Sequence, residues 1–220
     1  MRIEGREFLG VKIVGSMHCY ENVEIVNSKL ISCALAQFDD PEYRLTVRGA
    51  SVRECMVSGG SIQGVHVEDS LIENVNGGSV FYAHGCVFDR VVIRGAIGAI
   101  MAIMPNSSLA ARDLHVARMI ELYRQVEWAL DISAAEFVDV DLCGVPGHLV
   151  KIDPETQIIL HRDRFDNISV HDLPPLVQVW LGRFRATPFD SIVAVAPKLS
   201  ENFLRYLDGI RWLRDNGLGI

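Results

Sequence analysis

The sequence predicts a mainly β fold: a column of stacked coils with one helical excursion, closed by an α/β cap. Three observations predict it. Residues 50–74 repeat every five positions, as ASVRE, CMVSG, GSIQG, VHVED and SLIEN. Each quintet opens on a small or slim residue (Ala50, Cys55, Gly60, Val65, Ser70) and centres on a branched apolar one (Val52, Val57, Ile62, Val67, Ile72). The rhythm stops at Pro105, after which apolar residues fall at helical spacing.

A period of five is neither the 3.6 of a helix nor the 2.0 of an ordinary strand. A short fixed period signals a stacked repeat. With each quintet as one side of a coil, the opening and central residues point inward and the other three face solvent. Four quintets close a coil, and the next coil stacks about 4.8 Å above it. Backbone groups then pair between coils, and only the two end coils expose strand edges.

These quintets resemble the pentapeptide-repeat family, over roughly residues 8–105 and 130–147. The family favours Asp or Asn before the centre and Leu or Phe at it. Here Ser51, Met56, Ser61, His66 and Leu71 precede centres that are Val or Ile. The resemblance implies a right-handed quadrilateral β-helix. It also implies a binding role: family members bind type II topoisomerases by imitating DNA, or protect a producer from its own toxin, and often dimerise end to end.

Taken in order, Met1–Glu7 reads as a polar cover and Phe8–Gly15 as a loose first coil. Opening and central pairs follow at His18/Tyr20, Val23/Ile25, Ser28/Leu30 and Cys33/Leu35. Asp39-Asp40-Pro41-Glu42-Tyr43 is an acidic, turn-like insertion, after which Leu45/Val47 resumes the beat. The register slips by one at Gly77-Gly78 and continues through Cys86/Phe88, Val91/Ile93, Ala96/Gly98 and Met101/Ile103, for close to five coils by Pro105. An N-cap at Asn106-Ser107-Ser108 opens an amphipathic helix over 108–128, with Val116, Met119, Ile120 and Tyr123 as its stripe, lying against a face of the column. Leu130/Ile132, Ala135/Phe137, Val140/Leu142 and Val145/Gly147 return the chain to the stack for a last coil. A strand of a separate sheet would show the same alternation over 135–145. The column is thus residues 1–147 and the α/β cap 148–220. In the cap, 148–152 and 157–160 flank a turn at Asp153-Pro154 and read as a hairpin. A helix follows Pro174-Pro175, with Leu176, Val179, Trp180 and Phe184 as its apolar residues. Ser191–Ala196 is a strand. Ser200 caps a last helix ending near Asn216-Gly217.

A hydrophobic fraction of 49% argues for a folded chain. No apolar run approaches the ~20 residues of a membrane span, and MRIEGREF has no signal-peptide core, so the expected compartment is the cytoplasm. The five cysteines lack a CxxC pair. Cys33, Cys55 and Cys86 fall at inward openings, where thiols pack well; neither metal nor cofactor is expected. A net charge of −7 argues against binding nucleic acid by phosphate neutralisation.

No nucleotide-binding, zinc-protease or serine-hydrolase motif is present. The expected function is that of a non-enzymatic protein-binding solenoid, such as an immunity or antitoxin-like or resistance factor, whose protein partner has no identity in the sequence. DNA mimicry is an alternative. Between residues 8 and 105 it would draw on Glu21, Glu24, Asp39, Asp40, Glu42, Glu54, Glu68, Asp69, Glu73 and Asp89. A third alternative is an enzyme using Asp139, Asp141, His148, His161 and Arg162 between the helix and the cap. His66, at an outward position, is expected on a solvated face. The candidate interaction surface is Asp39, Asp40 and Glu42, together with Phe203, Leu207, Ile210 and Trp212 on the last helix, through which the cap would pair with a second copy.

Overall fold

The computed structural model describes residues 1–166 and 168–220. Strands β1 (Arg2–Glu4), β2 (Glu7–Leu9), β3 (Lys12–Val14) and β4 (Cys19–Glu21) form the first coil. The second holds β5 (Glu24–Val26), β6 (Lys29–Ile31), β7 (Ala34–Ala36) and β8 (Thr46–Arg48). The third holds β9 (Ser51–Arg53), β10 (Met56–Ser58), β11 (Ser61–Gln63) and β12 (His66–Glu68). Then come β13 (Leu71–Glu73), β14 (Phe81–His84), β15 (Val87–Asp89) and the long β16 (Val91–Ile103). Parallel pairing sorts these strands into four ladders: β1-β5-β9-β13-β16, β2-β6-β10, β3-β7-β11-β14-β16 and β4-β8-β12-β15. The protein is therefore a mainly β solenoid.

The quintet pattern places the centres inward and in register. Ile3, Ile25, Val52, Ile72 and Ile93 stack in the first ladder; Tyr20, Val47, Val67 and Phe88 stack in the fourth. The residue two after a centre turns the corner with positive φ: Asn27, Glu54, Gly59, Gly64, Asp69, Asn74, Gly85, Arg90 and Gly95. Gly and Asn adopt that left-handed conformation most cheaply, which explains their recurrence at this place. The opening residue closes the same corner. Ser28 and Ser70 donate their hydroxyls to the carbonyls of Val26 (2.9 Å) and Glu68 (2.7 Å). Cys55 reaches the Arg53 carbonyl at 3.1 Å. All five cysteines are free thiols.

Two readings of the column need correction. Met1–Glu7 is no polar cover: it supplies β1 and the start of β2. In the fifth coil, β16 runs from the first ladder to the third without a second corner, so the inward residue opposite Ala83 is Ala102, not Met101 or Ile103.

Helix α1 spans Arg112–Tyr123, shorter than 108–128. Asn106 accepts hydrogen bonds from Ser108 N–H and hydroxyl; this holds a turn, and the helix begins only after Ala111. Its buried face is His115, Met119 and Tyr123. Instead of lying along the outside of a ladder, the helix closes an edge. The Tyr123 hydroxyl accepts from Phe88 N–H (3.3 Å) on β15, the last strand of the fourth ladder, and donates to the carbonyl of Cys86 (3.2 Å) just before it.

The chain then rejoins the stack. Strands β17 (Leu130–Asp131) and β18 (Ala135–Asp141) both pair parallel with β16, and β19 (Val150–Lys151) pairs with β17. All eight inward residues named for this coil, Leu130 through Gly147, are buried. The predicted hairpin at 148–160 does not form. Residues 150–151 are taken up by the first ladder, and β20 (Gln157–His161) pairs antiparallel with β21 (Ser191–Val195). Helices α2 (Pro175–Arg185) and α3 (Phe203–Asp215) cover this pair and build a second core around Trp180, Phe184, Ile210 and Leu213. The α2 stripe is rotated from expectation: Val177 and Leu181 are buried, while Val179 is exposed. Phe189, Val193 and Val195 join the solenoid core. Gln157 donates to the Ile132 carbonyl at 3.1 Å, so the cap seals the last coil.

Candidate functional site

On a three-residue strand whose centre points inward, both flanking side chains face out. The outer faces of the ladders differ in charge. On the fourth, Arg48 bridges Glu21 (3.4 Å) and Glu68 (2.7 Å) across successive coils. At the next corner Arg90 binds Asp69 (2.6 Å) and Asp89 (2.7 Å). On the first, Glu24 binds Arg2 and Arg53, and Arg94 binds Glu73 at 2.7 Å. These are self-paired surfaces, each pair worth at most about 1 kcal/mol.

The third ladder is different. Its outward columns run Lys12, Ala34, Ser61, Tyr82, Met101 and Val14, Ala36, Gln63, His84, Ile103. Apart from Lys12 at one end these are uncharged or, for His84, close to neutral, and β18 continues the first column with Asp141, which is bound to Arg183. Tyr82 stacks on His84 with ring centroids 5.4 Å apart and planes 11° from parallel. Tyr82 is 41% exposed, and exposed Phe38 follows the second coil of the same ladder. Burial lowers the His84 pKa, and its Nδ1 has no hydrogen-bond partner. The face therefore offers a flat aromatic pair, while the unpartnered His84 Nδ1 lies buried beneath it.

The expected interaction residues do not form one surface. Asp39 and Glu42 are exposed, and Glu42 pairs with Arg118 of α1 at 3.2 Å. Asp40 is buried and serves the insertion itself. It accepts from Arg44 (2.9 Å), Ser16 and the Glu42 N–H (3.1 Å). Burial pushes its carboxyl up, but those hydrogen bonds outweigh burial and hold it below its usual value. Ile210 is fully buried, and Phe203, Leu207 and Trp212 pack against the cap core. Of the α3 stripe, Ile210 thus lies inside the cap, and Phe203, Leu207 and Trp212 are half-buried at its edge. Leu204, at 70% exposure, is the large apolar side chain that α3 leaves outside.

No protein-family model matches the chain, and no curated protein or solved structure matches it significantly.

The polar groups proposed for an enzyme do not converge. Asp141 binds Arg183 at 3.3 Å and the Cys143 N–H at 2.9 Å. Asp139 bonds the Val140 N–H. The His148 ring meets the Ser191 hydroxyl at 3.0 Å. Arg162 donates to the carbonyls of Phe184, Thr187 and Phe189 and lies over the Phe184 ring, 4.6 Å from its centre. The seam between α1 and the cap is filled by Tyr123 edge-on to Phe189 at 5.7 Å, and by Met104 against Thr187. Two surface depressions are a hollow of about 220 Å³ beside Arg162 and Phe165 and one of about 460 Å³ along residues 107–114. Among the described residues, no three His, Cys, Asp or Glu side chains gather as metal ligands, and no helix is long and apolar enough to cross a membrane.

His66 also departs from expectation. Its side chain is only 17% exposed, lies 3.3 Å from Glu68, and has its Nε2 buried without a partner. Sequence reasoning missed Tyr82 and His84, although the signal was present. Counting back five from Phe88 puts Ala83 at a centre, which makes its two neighbours outward-facing.

Proposed function

We propose that the chain is a right-handed quadrilateral β-helix of pentapeptide-repeat type that acts as a non-enzymatic protein-binding solenoid. Four ladders of parallel strands, a five-residue step and left-handed corners two residues after most centres support this reading of the column. The observation that carries the binding role is the outer face of the third ladder. Its aromatic pair, exposed Tyr82 on half-buried His84, lacks the arginine–carboxylate pairing found on the first and fourth ladders. A rigid face with an aromatic anchor and few charges has the composition of an interface centre. DNA mimicry would need free carboxylates along the rod. Of the ten named between residues 8 and 105, all but Asp39 and Glu54 lie against an arginine.

The test is capture of a protein partner from the native host. Wild type and an Arg94→Met control on the first ladder should recover the same partner. A Tyr82→Ala/His84→Ala chain with an unchanged circular dichroism spectrum should lose it by about tenfold or more. Equal recovery by all three chains, or no partner for any of them, overturns the proposal.

A further inference from the structure

The hollow of about 220 Å³ in the cap lies between the short 3-10 turn Arg162–Phe165 and the end of α2. Arg162, Phe165, Asp166, Leu181, Phe184 and Arg185 line it. Its apolar wall belongs to the cap core: Phe165, Leu181 and Phe184 are each at most 6% exposed, and the two phenylalanine rings meet edge-on at 6.4 Å. Arg162 is held by one nitrogen. Its Nη2 donates to the carbonyls of Phe184, Thr187 and Phe189, while Nε and Nη1 make no hydrogen bond among the described residues. Those carbonyls stand at and just beyond the C-terminal end of α2, where the helix dipole leaves partial negative charge, so they offset much of the Arg162 charge.

Arg185 and Asp166 are not offset in this way. Both are exposed and both line the hollow, yet among the described residues neither forms an ion pair, with the other or with any third side chain. Arg183, on the same helix, is by contrast bound to Asp141 at 3.3 Å. The hollow thus combines one open cation, one open anion, spare guanidinium N–H groups and an apolar wall. The geometry points to a binding site for a single α-amino acid with an apolar side chain. Its carboxylate takes Arg185 and the spare N–H groups of Arg162, whose planar fork matches a carboxylate. Its ammonium answers Asp166, and its side chain packs on Phe165, Leu181 and Phe184. A simple acid would leave Asp166 without a partner, and a simple amine would leave Arg185 without one. The volume is below the ~300 Å³ at which pockets for drug-sized ligands begin, which suits a molecule of amino-acid size. The hollow lies wholly in the cap, so this site stands apart from the binding face of the third ladder.

An NMR titration of the full chain with L-leucine and with L-phenylalanine, read at the amides of Arg162–Asp166 and α2, tests the site. At least one of the two should bind with a Kd of about 1 mM or tighter. Its deaminated acid and its decarboxylated amine should each bind about tenfold more weakly or worse. Arg185→Gln and Asp166→Asn change exposed side chains, and an unchanged circular dichroism spectrum checks that each variant folds. Each should weaken the amino acid by about tenfold, whereas Asp166→Asn should leave the affinity for the deaminated acid as it was. No shift with either amino acid at about 10 mM overturns the proposal. So does an acid or amine that binds as tightly as the amino acid, or an Arg185→Gln chain that binds it as tightly as wild type.

Discussion

The first and last coils of the solenoid use the same residue pattern and reach opposite environments. Leu130, Ile132, Ala135, Phe137, Val140, Leu142, Val145 and Gly147 are all buried, whereas the inward residues of the first coil, Ile3, Phe8, Val11, Ile13 and Tyr20, are half-buried or exposed. Position within a quintet sets only the direction of a side chain. Burial depends on the coil above and the coil below, and the first coil has a neighbour on one side. The far end has its neighbour supplied by elements outside the repeat: α1 over the fourth ladder and the cap over the rest.

The sharpest way to break this comparison is to delete the same kind of side chain at both ends. Phe137→Ala, at 1% exposure, should cost about 3–5 kcal/mol, because the closed last coil leaves a cavity. Phe8→Ala, half-buried in the first coil, should cost less than about 2 kcal/mol. Urea denaturation of both variants measures the gap, and equal losses would mean that the two ends are equally closed.

A smaller effect should follow from removing one oxygen. Tyr123→Phe leaves the Phe88 N–H and the Cys86 carbonyl without their partner. It should cost about 1–3 kcal/mol and speed amide exchange at Phe88, with β1 to β4 unchanged. Unaltered exchange at Phe88 would show that the helix does not seal that edge.

The smallest expected effect is a pH dependence confined to the closed region. Burial lowers the pKa values of His66, His84 and His115 below 6.5. Their folded forms resist protonation, so the stability they contribute is complete above about pH 6.5. It is lost as pH falls through 6.5 toward the folded values. Between pH 7.5 and 5.5, amide protection in α1, where His115 packs edge-on against Tyr43, should fall before that of β1 to β4. Loss beginning in the first coil would refute the assignment.

Much of this architecture was legible in the residues. The beat over 50–74, the slip at Gly77-Gly78 and the return at Leu130/Ile132 are local patterns, and a solenoid pairs its coils over short distances in sequence. The errors arose where a distant partner decided the outcome. Residues 150–151 read locally as part of a hairpin, because nothing near them in sequence marks their pairing with Leu130–Asp131. An acidic turn usually lies on the surface, whereas Asp40 is buried and bonded to Ser16 and Arg44. The sequence puts Tyr82 and His84 on either side of a centre at Ala83; that their rings stack is decided by the structure.

The sequence by itself determined which side chains point inward, where corners turn and where the chain leaves and re-enters the stack, because these follow from the alternation of directions along a backbone of fixed geometry. Only the tertiary structure decided which of those inward residues are buried, which carboxylates meet an arginine and which end stays open. Each of these depends on what lies one coil away, some twenty residues off in the chain, and a single strand carries no record of its neighbour.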